Sequence, residues 1–258
     1  MSTGPDPAGR QAELDERLAA TRSRISAACS AAGRDPAELT LIAVTKTYPA
    51  SDVLALARLG LTDFGENRDQ EAAPKAAAVA AAGPPHGGLA GPGGQQPLSW
   101  HFIGQLQSNK ASSVARYARF VHSVDRIRLV RHLGAAAMAV PGRDAFGPAL
   151  TCLVQVSLDG DPDRGGVPPG RVREVAEAIE AEPGLALGGL MAVAPLGADP
   201  LAAFAALAPL SAEIRSLNPL AGIISAGMSG DLEAAIASGA THLRIGTALL
   251  GNRSVPVR

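Results

Sequence analysis

Lys46 follows the largely apolar run Leu39-Thr40-Leu41-Ile42-Ala43-Val44-Thr45, which places its side chain at the C-terminal mouth of a strand. A lysine amine is strongly hydrated, yet in apolar surroundings its pKa falls, and the neutral amine can attack an aldehyde to form an imine. Taken alone, the segment is read more simply as a rim lysine reaching water. A second stretch, Ser225-Ala226-Gly227-Met228-Ser229 followed by Gly230-Asp231-Leu232-Glu233-Ala234-Ala235, has a serine able to cap a helix and glycines that admit close backbone approach. First-turn amides there form an anion site, unless Asp231 and Glu233 satisfy the dipole themselves. A third, Leu243-Arg244-Ile245-Gly246-Thr247, offers amides, a hydroxyl and a permanent charge to a phosphate.

What decides whether these pieces meet is the set of elements that carries them. Short apolar runs predict eight strands: Leu39–Thr45, Thr62–Gly65, Trp100–Gly104, Phe120–Val124, Ala149–Ser157, Leu185–Val193, Gly222–Ala226 and His242–Gly246. Between them, Ala-rich amphipathic segments predict helices over Ser51–Leu59, Gln70–Ala82, Asn109–Ala118, Arg126–Val140, Arg171–Ala181, Pro200–Leu217 and Asp231–Ser238. Strand then helix, repeated, predicts parallel pairing and a single (β/α)8 barrel of TIM type, a fold for which 258 residues is an ordinary length. An open doubly wound sheet is the alternative, but it usually carries a Gly-rich turn after its first strand, where this chain has Thr45-Lys46-Thr47-Tyr48-Pro49. An extra helix from about Ala12 to Ala32, closed by Gly33, precedes the barrel, and residues 1–10 read as a flexible tail before one domain over 11–258. Residues 83–97 are Gly/Pro-rich and read as a surface insertion in which His86 is solvated. The turn from Gly160 to Gly170 follows the fifth strand, on the face where barrel sites are built.

In a closed barrel the loops after strands seven and eight are neighbours and form the recurring phosphate site, while strand one adjoins strand eight. An aldehyde-reactive amine beside a phosphate cradle describes a site for pyridoxal 5'-phosphate. Bulk properties limit the other readings. A net charge of -1 gives no broad footprint for nucleic acid or an anionic membrane. No stretch is apolar and long enough for a signal peptide or a membrane span, and Cys29 and Cys152 read as buried free thiols, so a cytoplasmic protein is expected. No second His or carboxylate is spaced with His122 and Asp125 to hold a metal.

The segments IAVTKTYP, DFGENRDQE, WHFIGQLQSNK, VHSVDR, GLMAV and GMSGDLEAAIASGATHLRIGTALLG run from the first strand to the C-terminus. Together they resemble the YggS/PROSC-type pyridoxal phosphate homeostasis proteins. The resemblance implies a barrel like the N-terminal domain of alanine racemase, with Lys46 as the imine-forming lysine. It implies a phosphate near Ser229, Gly246 and Thr247, with Ser225 close by, Arg244 facing the cofactor ring nitrogen, and Asn67 as a further wall. Where relatives carry Asn in the fifth strand this chain has Ser157, and where many carry Lys in the next turn it has Arg164. Those departures bear on any release step that depends on these side chains.

His101 reads as a satisfied barrel histidine, Met191 as packing, and Gln107 to Lys110 as the cap of a helix. Racemisation needs proton delivery on two faces, so a lysine base must be opposed by a second group. The tyrosines are Tyr48 and Tyr117, and in alanine racemase the opposing tyrosine comes from an added β-domain, whereas this chain stops soon after its eighth strand. The expectation is a non-catalytic, monomeric carrier that limits free cofactor and passes it to apo-enzymes by transient contact. The alternatives are a racemase or lyase of narrow specificity, or a barrel for another phosphorylated metabolite.

Overall fold

The computed structural model describes residues 7–83, 97–141, 149–161 and 164–251. Eight parallel strands close into a barrel in sequence order: β1 Thr40–Val44, β2 Asp63–Glu66, β3 Ser99–Phe102, β4 Ala118–Val124, β5 Leu150–Val156, β6 Leu185–Ala192, β7 Ile223–Ser225 and β8 His242–Ile245. Closure is made by β1 against β8, with Ile42 opposite Arg244 and Ala43 opposite Ile245. Strand alternation sorts side chains into two populations. Ala43, Phe64, Phe102, Val154, Leu243 and Ile245 turn outward into one apolar cluster with the surrounding helices. Ile42 and Val44 turn inward, where a Cβ on Gly65 would meet both at 3.1 and 3.4 Å.

The helices are α1 Pro7–Ala31, α2 Ala50–Arg58, α3 Asp69–Ala81, α4 Ala111–Val114, α5 Ile127–Met138, α6 Val172–Glu180, α7 Pro200–Ala205, α8 Leu207–Leu217, α9 Leu232–Ala237 and α10 Thr247–Leu250. Three depart from the pattern-based expectation. The helix expected over Asn109–Ala118 shortens to α4, because Ala118 is drawn into β4 opposite Trp100. The single helix expected over Pro200–Leu217 is two, because Pro209 has no N–H for the Ala205 carbonyl and sits instead in the first turn of α8. The expected tail of residues 1–10 is shorter, since Pro7 to Arg10 already belong to α1, whose start is anchored by Arg10 on Asp52 at 2.7 Å. Residues 84–96, with His86 and most of the expected insertion, lie outside the described residues.

The extra helix α1 is part of the barrel's closure. Its inner stripe, Leu14, Leu18, Thr21, Ile25 and Cys29, is buried at helical spacing. Gly33, at φ 65°, ends it as expected, with Arg34 N–H on the Cys29 carbonyl at 2.9 Å. Arginines then bind the last elements of the chain: Arg10 reaches the Leu250 carbonyl at 3.1 Å, and Arg34 the Ile236 and Ala240 carbonyls at 3.0 and 2.7 Å. Leu250 and Ile236 lie in the last turns of α10 and α9, where carbonyls lack intrahelical partners, and Ala240 lies in the connection to β8. Arg24 holds the Ser229 carbonyl at 2.6 Å and pairs with Glu233. The seam between β7, β8 and β1 is thus laced from outside.

Gly189 shows how tightly β6 and β7 approach. Its φ is 138°, and a Cβ there would stand 2.1 Å from the Ile223 carbonyl oxygen. Gly189→Ala is therefore expected to lower stability by about 2 kcal/mol or more, read as a fall in the urea midpoint at unchanged slope; an unchanged midpoint would contradict the packing described.

Candidate functional site

At the C-terminal mouth, pairing continues one residue past β1, with Thr45 N–H bonding the Gly65 carbonyl at 3.0 Å, and Lys46 follows in the turn. Lys46 is exposed, and among the described residues none bonds or pairs with its amine. Gly246 follows β8 directly beside β1; a Cβ added to it would lie 3.5 Å from Val44. Ser229 Oγ accepts the Ala248 N–H at 3.2 Å, which ties the loop after β7 to the first turn of α10. This corrects one expectation: Ser229 does not cap the helix after it. That turn is organised instead by Asp231, whose carboxylate accepts the Met228 N–H. Gly230 and Thr247 are exposed, and their amides donate to no protein group among the described residues. Lysine, glycine turn, serine and threonine therefore stand together around the β7–β8–β1 sector.

The turn that presents Lys46 is strained and braced. Thr47 has φ 65°, a left-handed conformation that costs a β-branched residue about 1–2 kcal/mol. Its N–H is held by the Glu71 carboxylate at 3.0 Å. Beneath it, buried Lys75 donates to the Thr45 carbonyl at 2.7 Å and to Glu66 Oε1 at 2.6 Å, while Thr45 Oγ1 donates to the same oxygen at 2.7 Å. Burial pushes the Glu66 carboxyl above its ordinary value despite those two bonds, and its second oxygen has no hydrogen-bond partner among the described residues. Removing Lys75 would leave that buried charge uncompensated. Sequence reasoning missed this pair. The signal was available: a glutamate on the outward side of a strand, two residues after the buried Phe64, needs a partner on the covering helix, and Lys75 lies on the buried stripe of α3.

Below the mouth, Arg244 is buried at 4% exposure and, among the described residues, pairs with no carboxylate. Nη1 donates to Ser225 Oγ at 2.7 Å and Nη2 to the Ala192 carbonyl at 2.9 Å. Burial draws its pKa down to about 10, with only distant Asp231 opposing. The remaining guanidinium N–H groups are the donors left for a ligand. Ser225 is fully engaged below the mouth, since its hydroxyl also meets His122 Nδ1 at 2.9 Å. Asn67 is half-buried where β2 ends, and Gly104 presses on it so closely that a Cβ would stand 2.2 Å from the Asn67 carbonyl oxygen.

The arrangement resembles known proteins along nearly all its length. The model of the alanine racemase N-terminal domain family matches residues 17–254. The chain belongs to that family. A Mycobacterium tuberculosis member named pyridoxal phosphate homeostasis protein is 45% identical over 260 residues, 98% of this chain and 96% of that protein. A Pseudomonas aeruginosa protein of the same name is 42% identical over 240 residues, covering 93% and 96% of the two chains. Among solved structures, PipY of Synechococcus elongatus with PLP bound is 32% identical and superposes with a TM-score of 0.73 over 92% of this chain and 100% of that one.

In this member of the family both tyrosine hydroxyls point to protein partners. Tyr48 OH donates to the Gly251 carbonyl at 2.6 Å, and Tyr117 OH to Asp69 at 3.3 Å, with burial pushing the Tyr117 phenol up. Ser157 Oγ accepts the Gly160 N–H at 3.0 Å, and Arg164 spans Asp159 and the Ala194 carbonyl at 2.7 and 2.9 Å, so Ser157 and Arg164 both shape the loop after β5. Cys29 and Cys152 are buried free thiols, and no helix among the described residues is long and apolar enough to cross a membrane.

Three histidines are kept neutral by burial: His101 and His122 fall below 6.5, and His242 falls to about 4. Asp63 is held below its ordinary value, burial notwithstanding, by bonds from His101 and Thr62. The unfolded chain takes up these protons first, so stability is full above pH 6.5 and is lost as pH falls toward 4. Urea unfolding across that range should show a steadily falling midpoint; a flat profile would place these groups in contact with water.

Proposed function

We propose that this protein binds pyridoxal 5'-phosphate as an imine on Lys46 and serves vitamin B6 homeostasis, holding the reactive aldehyde and passing it to apo-enzymes in the cytoplasm as a monomer. The observation that carries the reading is the juxtaposition at the mouth: an amine with no described partner, beside two loops joined through Ser229 and the α10 turn with amides at Gly230 and Thr247 left over. The residues fit the cofactor part by part. Ser229, Gly246 and Thr247 line the anionic end, where backbone amides and hydroxyls suit a phosphate. Arg244 would donate to the ring nitrogen, with Ser225 orienting it, and Asn67 would form a further wall. The bound group supplies an electrophilic aldehyde; the chain supplies an amine, an anion cradle and a donor that never accepts a proton. The names of the relatives support the homeostasis reading.

Engagement of both tyrosines supports a carrier over a catalyst. A racemase needs an acid or base facing Lys46 across the substrate, and each phenol is bonded to another protein group. A panel of L- and D-amino acids, assayed for loss of the α-proton, tests the racemase alternative directly, and turnover of any of them would reverse this part of the reading.

Borohydride reduction of the loaded protein followed by peptide mapping should find the cofactor adduct on Lys46. Lys46→Ala should abolish the visible absorbance with far-UV circular dichroism intact, since an exposed mouth lysine adds little to the core. An adduct elsewhere, or an unfolded variant, would overturn the assignment. Arg244→Ala should weaken cofactor retention by roughly 1.5–3 kcal/mol, the range for a charge-assisted hydrogen bond; unchanged affinity would remove Arg244 from the site.

A further inference from the structure

The barrel interior holds a continuous polar chain that the cofactor site, as described, does not use. From Arg244 Nη1 it passes to Ser225 Oγ at 2.7 Å, from Ser225 Oγ to His122 Nδ1 at 2.9 Å, from His122 Nε2 to His101 Nδ1 at 2.9 Å, and from His101 Nε2 to Asp63 Oδ1 at 2.9 Å. The members come from β8, β7, β4, β3 and β2, so the chain crosses the barrel rather than following one strand. Ser225 and His122 are 0% exposed and His101 1%, whereas the Asp63 side chain is 20% exposed at the amino-terminal mouth.

Its direction is forced by the two ends. A guanidinium only donates, so Ser225 Oγ accepts from Arg244 and keeps its one proton for His122 Nδ1, the nitrogen that the Asp63 end of the chain leaves bare. His122, neutral through burial, then carries its proton on Nε2 and donates to His101 Nδ1. His101 likewise carries its proton on Nε2 and donates to Asp63, which only accepts. The reverse order would set a bare His101 nitrogen against a carboxylate oxygen, two acceptors at 2.9 Å. Further contacts fix the far end: Phe120 stacks on His101 at 4.3 Å with planes 2° apart, and Thr62 Oγ1 donates to Asp63 at 2.7 Å. The other charged or titratable groups acting on the chain are Arg119 toward His101, His242 toward Asp63 and His122, and Asp231 toward Arg244.

We infer that Asp63, His101 and His122 are positioning residues for Arg244: a one-way hydrogen-bond relay that supplies its counter-charge from the opposite mouth of the barrel and aims the guanidinium at the cofactor ring. The aim toward the cofactor rests on the function proposed above; the relay itself does not. An apolar interior would suffice for a barrel core, and a buried polar chain is tolerated where its members are satisfied, as Ser225, His122, His101 and Asp63 are here, while Arg244 keeps N–H groups for a ligand. Asp63 lies outside the cofactor contacts, so its effect on them must travel through the chain.

Imidazole nitrogen NMR on the cofactor-free protein at neutral pH tests the relay. Both His101 and His122 should be neutral with the proton on Nε2, and Asp63→Asn should alter the His101 and His122 signals together. A proton on His122 Nδ1, or a doubly protonated ring, overturns the relay. In the loaded protein, Asp63→Asn should weaken pyridoxal phosphate binding about five- to tenfold and shift its visible band, with far-UV circular dichroism unchanged and Asp63→Glu restoring both. Wild-type affinity and spectrum in Asp63→Asn overturn the coupling to the site. A wild-type protein that takes up no cofactor defeats the proposed function and the coupling with it, while the tautomer pattern still decides the relay.

Discussion

Pairing of β1 with β8 is the contact on which everything at the mouth depends. Lys46 and the Gly246–Thr247 turn are separated by 200 residues of chain and share a sector only because Ile42 lies opposite Arg244 and the ladder closes. Parallel pairing across that separation is entropically costly to form. It is secured on the outside by α1 and the turn that ends it, where Arg24 and Arg10 hold the Ser229 and Leu250 carbonyls and Arg34 the Ile236 and Ala240 carbonyls. The helix that precedes the barrel therefore serves the last two loops, and through Ser229 it reaches the proposed anion cradle.

Charge inside this protein is handled by two different devices. Outside the strands, Glu66 and Lys75 pair directly and share the Thr45 backbone and hydroxyl, a compact arrangement that braces the turn carrying Lys46. Inside the strands, Arg244 has no carboxylate beside it and is linked to Asp63 through three neutral groups. A direct ion pair would occupy the guanidinium. A relayed one leaves N–H groups without a protein acceptor among the described residues, which is what a residue needs if it is to bind a ligand as well as be held.

The same logic separates holding from turnover. Retention as proposed requires an amine, an anion cradle and a donor to the ring, and the residues proposed for them lie on loops and strand ends that β1, β7 and β8 bring together. Turnover requires in addition a movable proton on the opposite face, and the phenols that would carry one are bonded to Gly251 and Asp69.

Much of this was legible before any coordinates. Strand spacing and parallel connectivity are local hydrophobic patterns, so the eight strands, the barrel and the position of Lys46 at the end of the first could be read from the residues. Gly33 as a helix terminator could be read for the same reason. Where a pattern misled, a particular residue intervened: Pro209 divided a helix, and Ala118 was taken by a strand. Only the tertiary structure decided that Ser229 bonds the next loop rather than its own helix, that Lys75 meets Glu66, and that five polar residues from five strands form one chain. Local sequence sets which side of a strand a residue faces. Which distant group then lies within 3 Å depends on barrel register and on the need of each buried donor to find an acceptor, and neither is written in any single segment.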